Sequence, residues 1–292
     1  MRRAIAVVTF SLLAIPHLIS AQNFDAVQIR TIPVSSSIYM LQGSGGNIGL
    51  SVGDDGPLIV DDQFAPLTEK IQAAINALTP NPVKFVINTH FHYDHSDGNE
   101  NFGRAGATIV AHENARTRML TDQTIALDNR IQEAYDENGL PKITFYRSMR
   151  LHHNGELIDV IHVGSAHTDG DAVVYFRTSN VIHTGDVFAR YMLPFVDQPN
   201  GGSLDGMIDG VWTIAGLIDD QTRIIPGHGA VASRADLLAY REMFVEIRDR
   251  LRDHAAKGDT PDQVVAANPA RGYAEMNAGI ERWVRAAYEE YR

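Results

Sequence analysis

The chain has 292 residues, 44% hydrophobic and 21% charged; that is ordinary globular composition and excludes disorder, collagen and coiled coil as whole-chain descriptions. Acids outnumber bases 36 to 25, giving a net charge of −11, a poor match for phosphate backbones, which demand clustered Lys and Arg. There is no cysteine, which excludes disulfides, thiol nucleophiles, Fe–S clusters and thiolate-bound zinc; any metal must be held by His, Asp and Glu, and 12 histidines are available.

Met1-Arg2-Arg3 is positive, a mostly apolar run follows from Ala4 to Ile15, and Ile19-Ser20-Ala21 ends the stretch on small residues. This pattern predicts a secretory signal peptide over residues 1–21, cleaved after Ala21, and export to a bacterial periplasm or the medium. The apolar run is too short for a membrane span, and Pro16 and His17 interrupt it. No linker or fixed-period repeat divides the remainder, so residues 22–292 are expected to form a single domain with a C-terminal helical extension.

Short strands are predicted over Ser36–Leu41, Asn47–Val52 and Leu58–Val60, with Asp54-Asp55-Gly56 as the turn between the last two. Phe64–Leu78 carries Leu67, Ile71, Ile75 and Leu78 on one helical stripe and ends at Pro80 and Pro82. Strands follow at Val83–Ile87 and Gly106–Val110, then a short helix at Asn114–Leu120. Residues 121–142 read as a polar surface excursion. Ile143–Val163 gives strands turning at Asn154-Gly155, followed by strands Ala172–Phe176 and Val181–His183. Residues 189–202 hold Pro194, Pro199, Gly201 and Gly202 and read as a loop. A helix is expected from Leu204 to Ile218 and a strand at Arg223–Ile225. Ser233, with Asp236 three residues on, caps a helix that buries Leu237, Phe244, Ile247 and Leu251 and stops at Gly258. Thr260-Pro261 starts another. The last helix turns Trp283, Val284 and Tyr288 inward. Strands and helices in this order predict an α/β layered fold.

Thr89-His90-Phe91-His92-Tyr93-Asp94-His95 follows the Val83–Ile87 strand directly, and ligand sites in α/β sheets sit at carboxyl ends of strands. His90 and His92 point the same way because side chains alternate with period two, and a turn brings Asp94 and His95 back. A solvated turn would explain one histidine; three with an aspartate, straight after an apolar strand, point to metal ligation, and to two adjacent ions. Three further sites lie after or between strands: His167 in Ala166-His167-Thr168-Asp169, Asp186 in His183-Thr184-Gly185-Asp186, and His228 in Pro226-Gly227-His228-Gly229. Each is weak alone; their joint order is the signal. The remaining histidines take structural readings: His112 opening a helix, His152 and His153 near a strand end, His162 and His183 packed in strands, His254 exposed on a helix.

This series, His-x-His-x-Asp-His, then His167, Asp186 and His228, resembles the metallo-β-lactamase-fold hydrolase superfamily over Gly45–Gly229. The resemblance implies a four-layer αβ/βα sandwich with a metal cleft between two sheets. It implies one zinc on His90, His92 and His167, a second on Asp94, His95 and His228, and Asp186 as the bridge. Asp61, closing Leu58-Ile59-Val60-Asp61, would support the ligands from behind. Zinc suits this nitrogen and oxygen set, which iron or manganese could also occupy. Two ions sharing a water lower its pKa to about 7, so no Ser or Cys nucleophile is needed; Asp94 would orient that water and relay its proton.

The implied activity is hydrolysis of a carbonyl in a small molecule, a β-lactam-like amide or an ester or lactone. No nucleic acid and no stable membrane insertion are expected. β-Lactamases of the best-known subclass place Cys where this chain has Asp186, and Lys where it has Ala189; Arg190 is the neighbouring cation that could replace that Lys. The bridging aspartate instead resembles the lactonase and glyoxalase II branches, although Tyr191 lies five residues past it rather than three. An iron-dependent persulfide dioxygenase shares much of the ligand set. Tyr135, Tyr191, Met192 and Phe195 are candidates to line the cleft.

Overall fold

The computed structural model describes residues 23–125, 130–190, 193 and 195–292; the expected signal peptide, Tyr191 and Met192 lie outside them. The first sheet opens with an antiparallel meander of β1 (Arg30–Pro33), β2 (Ile38–Gln42), β3 (Ile48–Ser51) and β4 (Leu58–Val60). The turn between β3 and β4 closes with Gly56 N–H donating to Gly53 O, at the expected place. Helix α1 (Thr68–Asn76) then crosses to β5 (Phe85–Ile87), which pairs parallel to β4. Short helices α2 (Tyr93–Ser96) and α3 (Asn99–Arg104) lead to β6 (Thr108–His112). Helix α4 (Glu113–Met119) follows, with His112 as its cap.

Residues 121–142 depart from the expected polar excursion. They hold a two-stranded hairpin, β7 (Gln123–Ile125) and β8 (Arg130–Gln132), and bury Ile125, Gln132 and Leu140. These strands have three residues each, too few to show a period. β9 (Ile143–Phe145) then closes the seven-stranded sheet beside β6.

The second sheet has five strands in chain order: β10 (Ser148–His153), β11 (Glu156–His162), β12 (Ala172–Phe176), β13 (Val181–His183) and, after α5 (Leu204–Leu217), β14 (Arg223–Ile225). Asn154 and Gly155 both adopt positive φ, 54° and 72°, the two-residue turn whose twist suits a hairpin. Helix α6 (Arg234–Lys257) starts at a Ser233–Asp236 capping box and stops at left-handed Gly258. α7 (Pro261–Ala267) and α8 (Ala278–Glu289) complete the chain.

Both faces of each sheet are covered, and alternation sorts the side chains. In β4, Leu58 and Val60 face the other sheet while Ile59 faces α1; in β12, Ala172, Val174 and Phe176 face inward while Val173 and Tyr175 face the helices. Met40, Val60, Ile87 and Val110 of one sheet meet Val160, Val174, Phe176 and Ile225 of the other. Ile71, Ile75 and Phe102 cover the first sheet; α5, α6 and α8 cover the second through Met207, Val211, Phe244, Ile247, Val284 and Tyr288. The result is the four-layer αβ/βα sandwich. The parallel pairs β4–β5 and β13–β14 end at one rim, where Asp61, His90, Asp186 and His228 follow their strands.

Candidate metal centre

The segment after β5 is shaped by its apolar and hydroxyl residues as much as by its ligands. Phe91 is fully buried against Ala111, Ala115 and Met119, so His90 and His92 on either side turn the opposite way. Ser96 Oγ is 2.7 Å from Phe91 O and 3.0 Å from His92 O, fixing α2 as a tight turn that carries Asp94 and His95 back to the same point. Glycines permit the close approach. A Cβ on Gly46 would lie 2.2 Å from the His95 ring, and one on Gly227 would lie 2.0 Å from Asp186 Oδ1.

Three groups of potential ligand atoms result: His90, His92 and His167; His90, His95 and Asp186; and Asp94, His95 and His228, the atoms of each within 4.8 Å of one another. All seven sequence-predicted ligands come together. Hydrogen bonds fix which ring nitrogen each presents. Thr89 Oγ1 donates to Asp61 Oδ2 (2.8 Å), so it accepts from His90 Nδ1 at 3.0 Å and leaves His90 Nε2 buried with no partner. His92 Nε2 donates to Asp197 Oδ2 (2.8 Å), leaving Nδ1. His167 Nδ1 donates to Phe195 O (2.6 Å), leaving Nε2. His92 Nδ1 and His167 Nε2 are then two lone pairs 2.9 Å apart, an arrangement that a shared cation relieves. The donor set therefore fits a divalent ion with nitrogen and oxygen ligands.

The side holding Asp94, His95, His228 and Asp186 is more acidic. His95 Nδ1 bonds to Asp61 Oδ2 (2.8 Å), aiming Nε2 at Asp186 Oδ1 (3.1 Å) and Asp94 Oδ2 (3.7 Å). His228 Nε2 lies 3.4 Å from Asp94 Oδ2 and 3.3 Å from Asp186 Oδ2, and His167 Nε2 is 3.7 Å from the same Asp186 oxygen. Asp186 thus reaches both groups. Asp61 is buried at a positive φ of 64° and also accepts from Thr89 N–H (2.7 Å).

The electrostatics divide the same way. Burial, then His92, presses His167 down to about 4. Burial, then His95 and His167, holds His90 well below its ordinary value. Asp186 lifts His228 to about 10 against the effect of burial. Burial acts to raise Asp186, but His228 and His95 hold it well below the carboxylate range. His90 and His167 are thereby kept neutral and ready to ligate, whereas Asp94 and Asp186 draw positive charge to His95 and His228, the side suited to a second cation.

Sequence reasoning missed the groups that hold the ligands from outside. Asp197 and the Phe195 carbonyl both lie in the loop expected over 189–202. Asp171 accepts from His167 N–H (2.6 Å) and Thr168 N–H (3.0 Å), and burial presses its carboxyl up to about 7. Their only signal was general: a ligating histidine needs a partner for its other nitrogen, at a position no spacing rule supplies.

Above the ligands lies a cavity of about 310 Å³, lined by His92, Asp94, His167, Asp186 and His228 on one side and by apolar residues including Phe195 and Trp283 on the other. Of the expected cleft residues, Phe195 is there; Tyr135 is not, its hydroxyl lying 3.0 Å from Ser96 Oγ beneath the turn. Arg190 is also elsewhere. Its guanidinium donates to Val231 O and to Asp236 Oδ1, so it does not stand in for the missing lysine. His254 is half-buried rather than exposed, its Nδ1 2.6 Å from Asp259 Oδ2.

Fold and ligand constellation together define a two-sheet protein with a His/Asp metal site at the strand rim. The sequence model of the Metallo-beta-lactamase superfamily matches residues 34–228, and the chain belongs to that superfamily. Its fold is similar to a metallo-beta-lactamase from Pontibacter korlensis (18% identity, TM-score 0.61), over 75% of this chain and 99% of that one. It is similar to the DIM-1 metallo-beta-lactamase at the same identity and TM-score, over 75% and 98%. The stereoselective inverting sec-alkylsulfatase Pisa1 from Pseudomonas sp. aligns over 90% of this chain and 50% of its own length (16% identity, TM-score 0.66).

Proposed function

We propose that the chain is an exported zinc-dependent hydrolase that cleaves an ester, lactone or β-lactam-like amide bond in a small molecule. One observation carries the reading: the candidate ligands His92, Asp94, His167, Asp186 and His228 line a cavity whose remaining lining is mostly apolar. His90, His92 and His167 would hold one ion, Asp94, His95 and His228 the second, and Asp186 both. When bound, such a pair supplies an acidified water and a Lewis acid for a carbonyl. The protein's own groups do the rest. Asp61, Asp197 and the Phe195 carbonyl orient the imidazoles. Asp94, with Oδ2 toward His228, holds the attacking water's proton on Oδ1 and returns it to the leaving atom. The apolar wall seats the substrate and displaces bulk water. Ala189 beside the centre and the engaged Arg190 favour an ester or lactone over a carboxylate-bearing β-lactam.

Metal analysis of the mature protein, with hydrolysis of a chromogenic cephalosporin, a lactone and an aryl ester measured with and without chelator, tests this. About two zinc ions per chain and chelator-sensitive turnover are expected. A zinc-loaded protein inert to all three overturns it, and a single bound iron favours the dioxygenase alternative.

A further inference from the structure

Part of the cavity above the centre is built by a helix that contributes no candidate ligand. Gly279, Ile280 and Trp283 of α8 line it together with Asp94, Asp186 and His228, and Leu193, Phe195 and Ile125 add to its apolar lining. A second, mainly apolar cavity of about 190 Å³ shares Phe195, Gly279 and Trp283 and runs on along α8 to Ala286 and Ala287, with Gln198 and Arg282 as the polar residues of its lining. The charged groups facing the first cavity are the candidate metal ligands; no Lys or Arg lines it among the described residues. Residues 126–129, 191, 192 and 194 contain none in sequence.

The position of α8 is fixed. Val284 and Tyr288 are buried in the core shared with α5 and α6. Tyr288 OH donates to Asp259 O (2.7 Å). Just past the helix, Glu290 accepts from Leu204 N–H (2.8 Å) and Asp205 N–H (3.3 Å), capping the start of α5.

We infer that α8 is the substrate-selecting wall, and that the substrate carries an uncharged acyl or alkyl chain beside its carbonyl. This rests on the carbonyl-hydrolase reading above. Away from the candidate metal ligands, the described lining of this cavity offers no Lys or Arg to pair with a charged group on the substrate's chain. A hydrocarbon chain would bury against Trp283, Ile280 and Phe195 and could continue toward Ala286.

The test uses the zinc-loaded chain and p-nitrophenyl acetate, butyrate and octanoate. kcat/KM is expected to rise by about fourfold per methylene until the cavity is filled. Trp283→Ala removes the wall. Gly279→Leu fills the cavity instead; beyond its chain neighbours and the helix backbone, a Cβ there would approach Asn277 Oδ1 at 3.2 Å among the described residues. Each should cut the octanoate-to-acetate ratio by about tenfold or more. Binding is read separately. The sequence has two tryptophans, so in a Trp212→Phe background Trp283 is the only indole. Its emission should shift saturably with octan-1-ol and not with ethanol. A flat chain-length series, or variants that keep the wild-type ratio, together with no response to octan-1-ol, overturns the inference. An emission response with no ester turned over at any length supports the apolar pocket and overturns the hydrolase reading.

Discussion

Asp197 grips His92 from outside the ligand set, and it is fully buried. Asp197→Asn keeps the shape but replaces an obligate acceptor with a group that can present N–H to the same ring. Zinc affinity, measured by competition with a chelator, is expected to fall about 10- to 100-fold. Gly227 is a steric case. A methyl group 2.0 Å from Asp186 Oδ1 cannot be accommodated without moving that carboxylate. Gly227→Ala should therefore lower the metal bound per chain while leaving far-ultraviolet circular dichroism unchanged; full loading of the variant would contradict the placement. The candidate ligands themselves were legible because four fall within six residues behind an apolar strand and the others follow strands in order. Asp197, Asp171 and the Phe195 carbonyl were not, because what they recognise is a ring orientation, a property of the folded site.

Among the elements, those with strong local rules were read to within a residue or two. Ser233, Asp236 and Gly258 bound α6, and Asn154-Gly155 turns β10 into β11. β12, β13 and β14 span the expected residues. The β7–β8 hairpin escaped because three-residue strands carry no period. α8 was legible as an amphipathic helix, with Val284 and Tyr288 buried as expected, but Trp283 is half-buried and faces the cavity. A helical stripe says which residues leave water, and not whether they meet the core or a cleft. The attachment of α8 rests partly on Glu290, whose carboxylate takes two N–H groups at the positive end of α5. Glu290→Ala should cost about 1 kcal/mol in chemical denaturation and leave zinc content unchanged. A loss of zinc would mean that α8 braces the centre as well as roofing it.

For the molecule as a whole, the layer order followed from the succession of strands and helices, sharpened by the motif resemblance. Phe195 was read as a cleft residue, but the share of the lining that comes from α8 did not follow, because it lies beyond residue 228, where the family match ends. Global stability carries its own acid signature on the second sheet. Asp159 on β11 accepts from Arg150 (2.6 Å) and from Arg177 (2.8 Å). Those bonds, Arg150's first and against the opposing effect of burial, hold its carboxyl below the ordinary value. A depressed carboxyl stabilises the fold above its unfolded pKa of about 3.9 and loses that contribution as pH falls through its folded value. Asp159→Asn should therefore melt below wild type at pH 7, with the gap in Tm closing as the pH drops below about 3.9. A gap that persists in acid would assign the effect to packing.

Every candidate ligand lies at or before His228, whereas the roof over the cleft begins at Gly279. If the proposed function holds, grip on the metals and much of the choice of guest are written in separate stretches of the gene. Substitutions in the last stretch can exchange one clientele for another without touching the hearth they all use. Drift among descendants of this protein should accordingly be uneven, quiet around the rim and restless along the final helix.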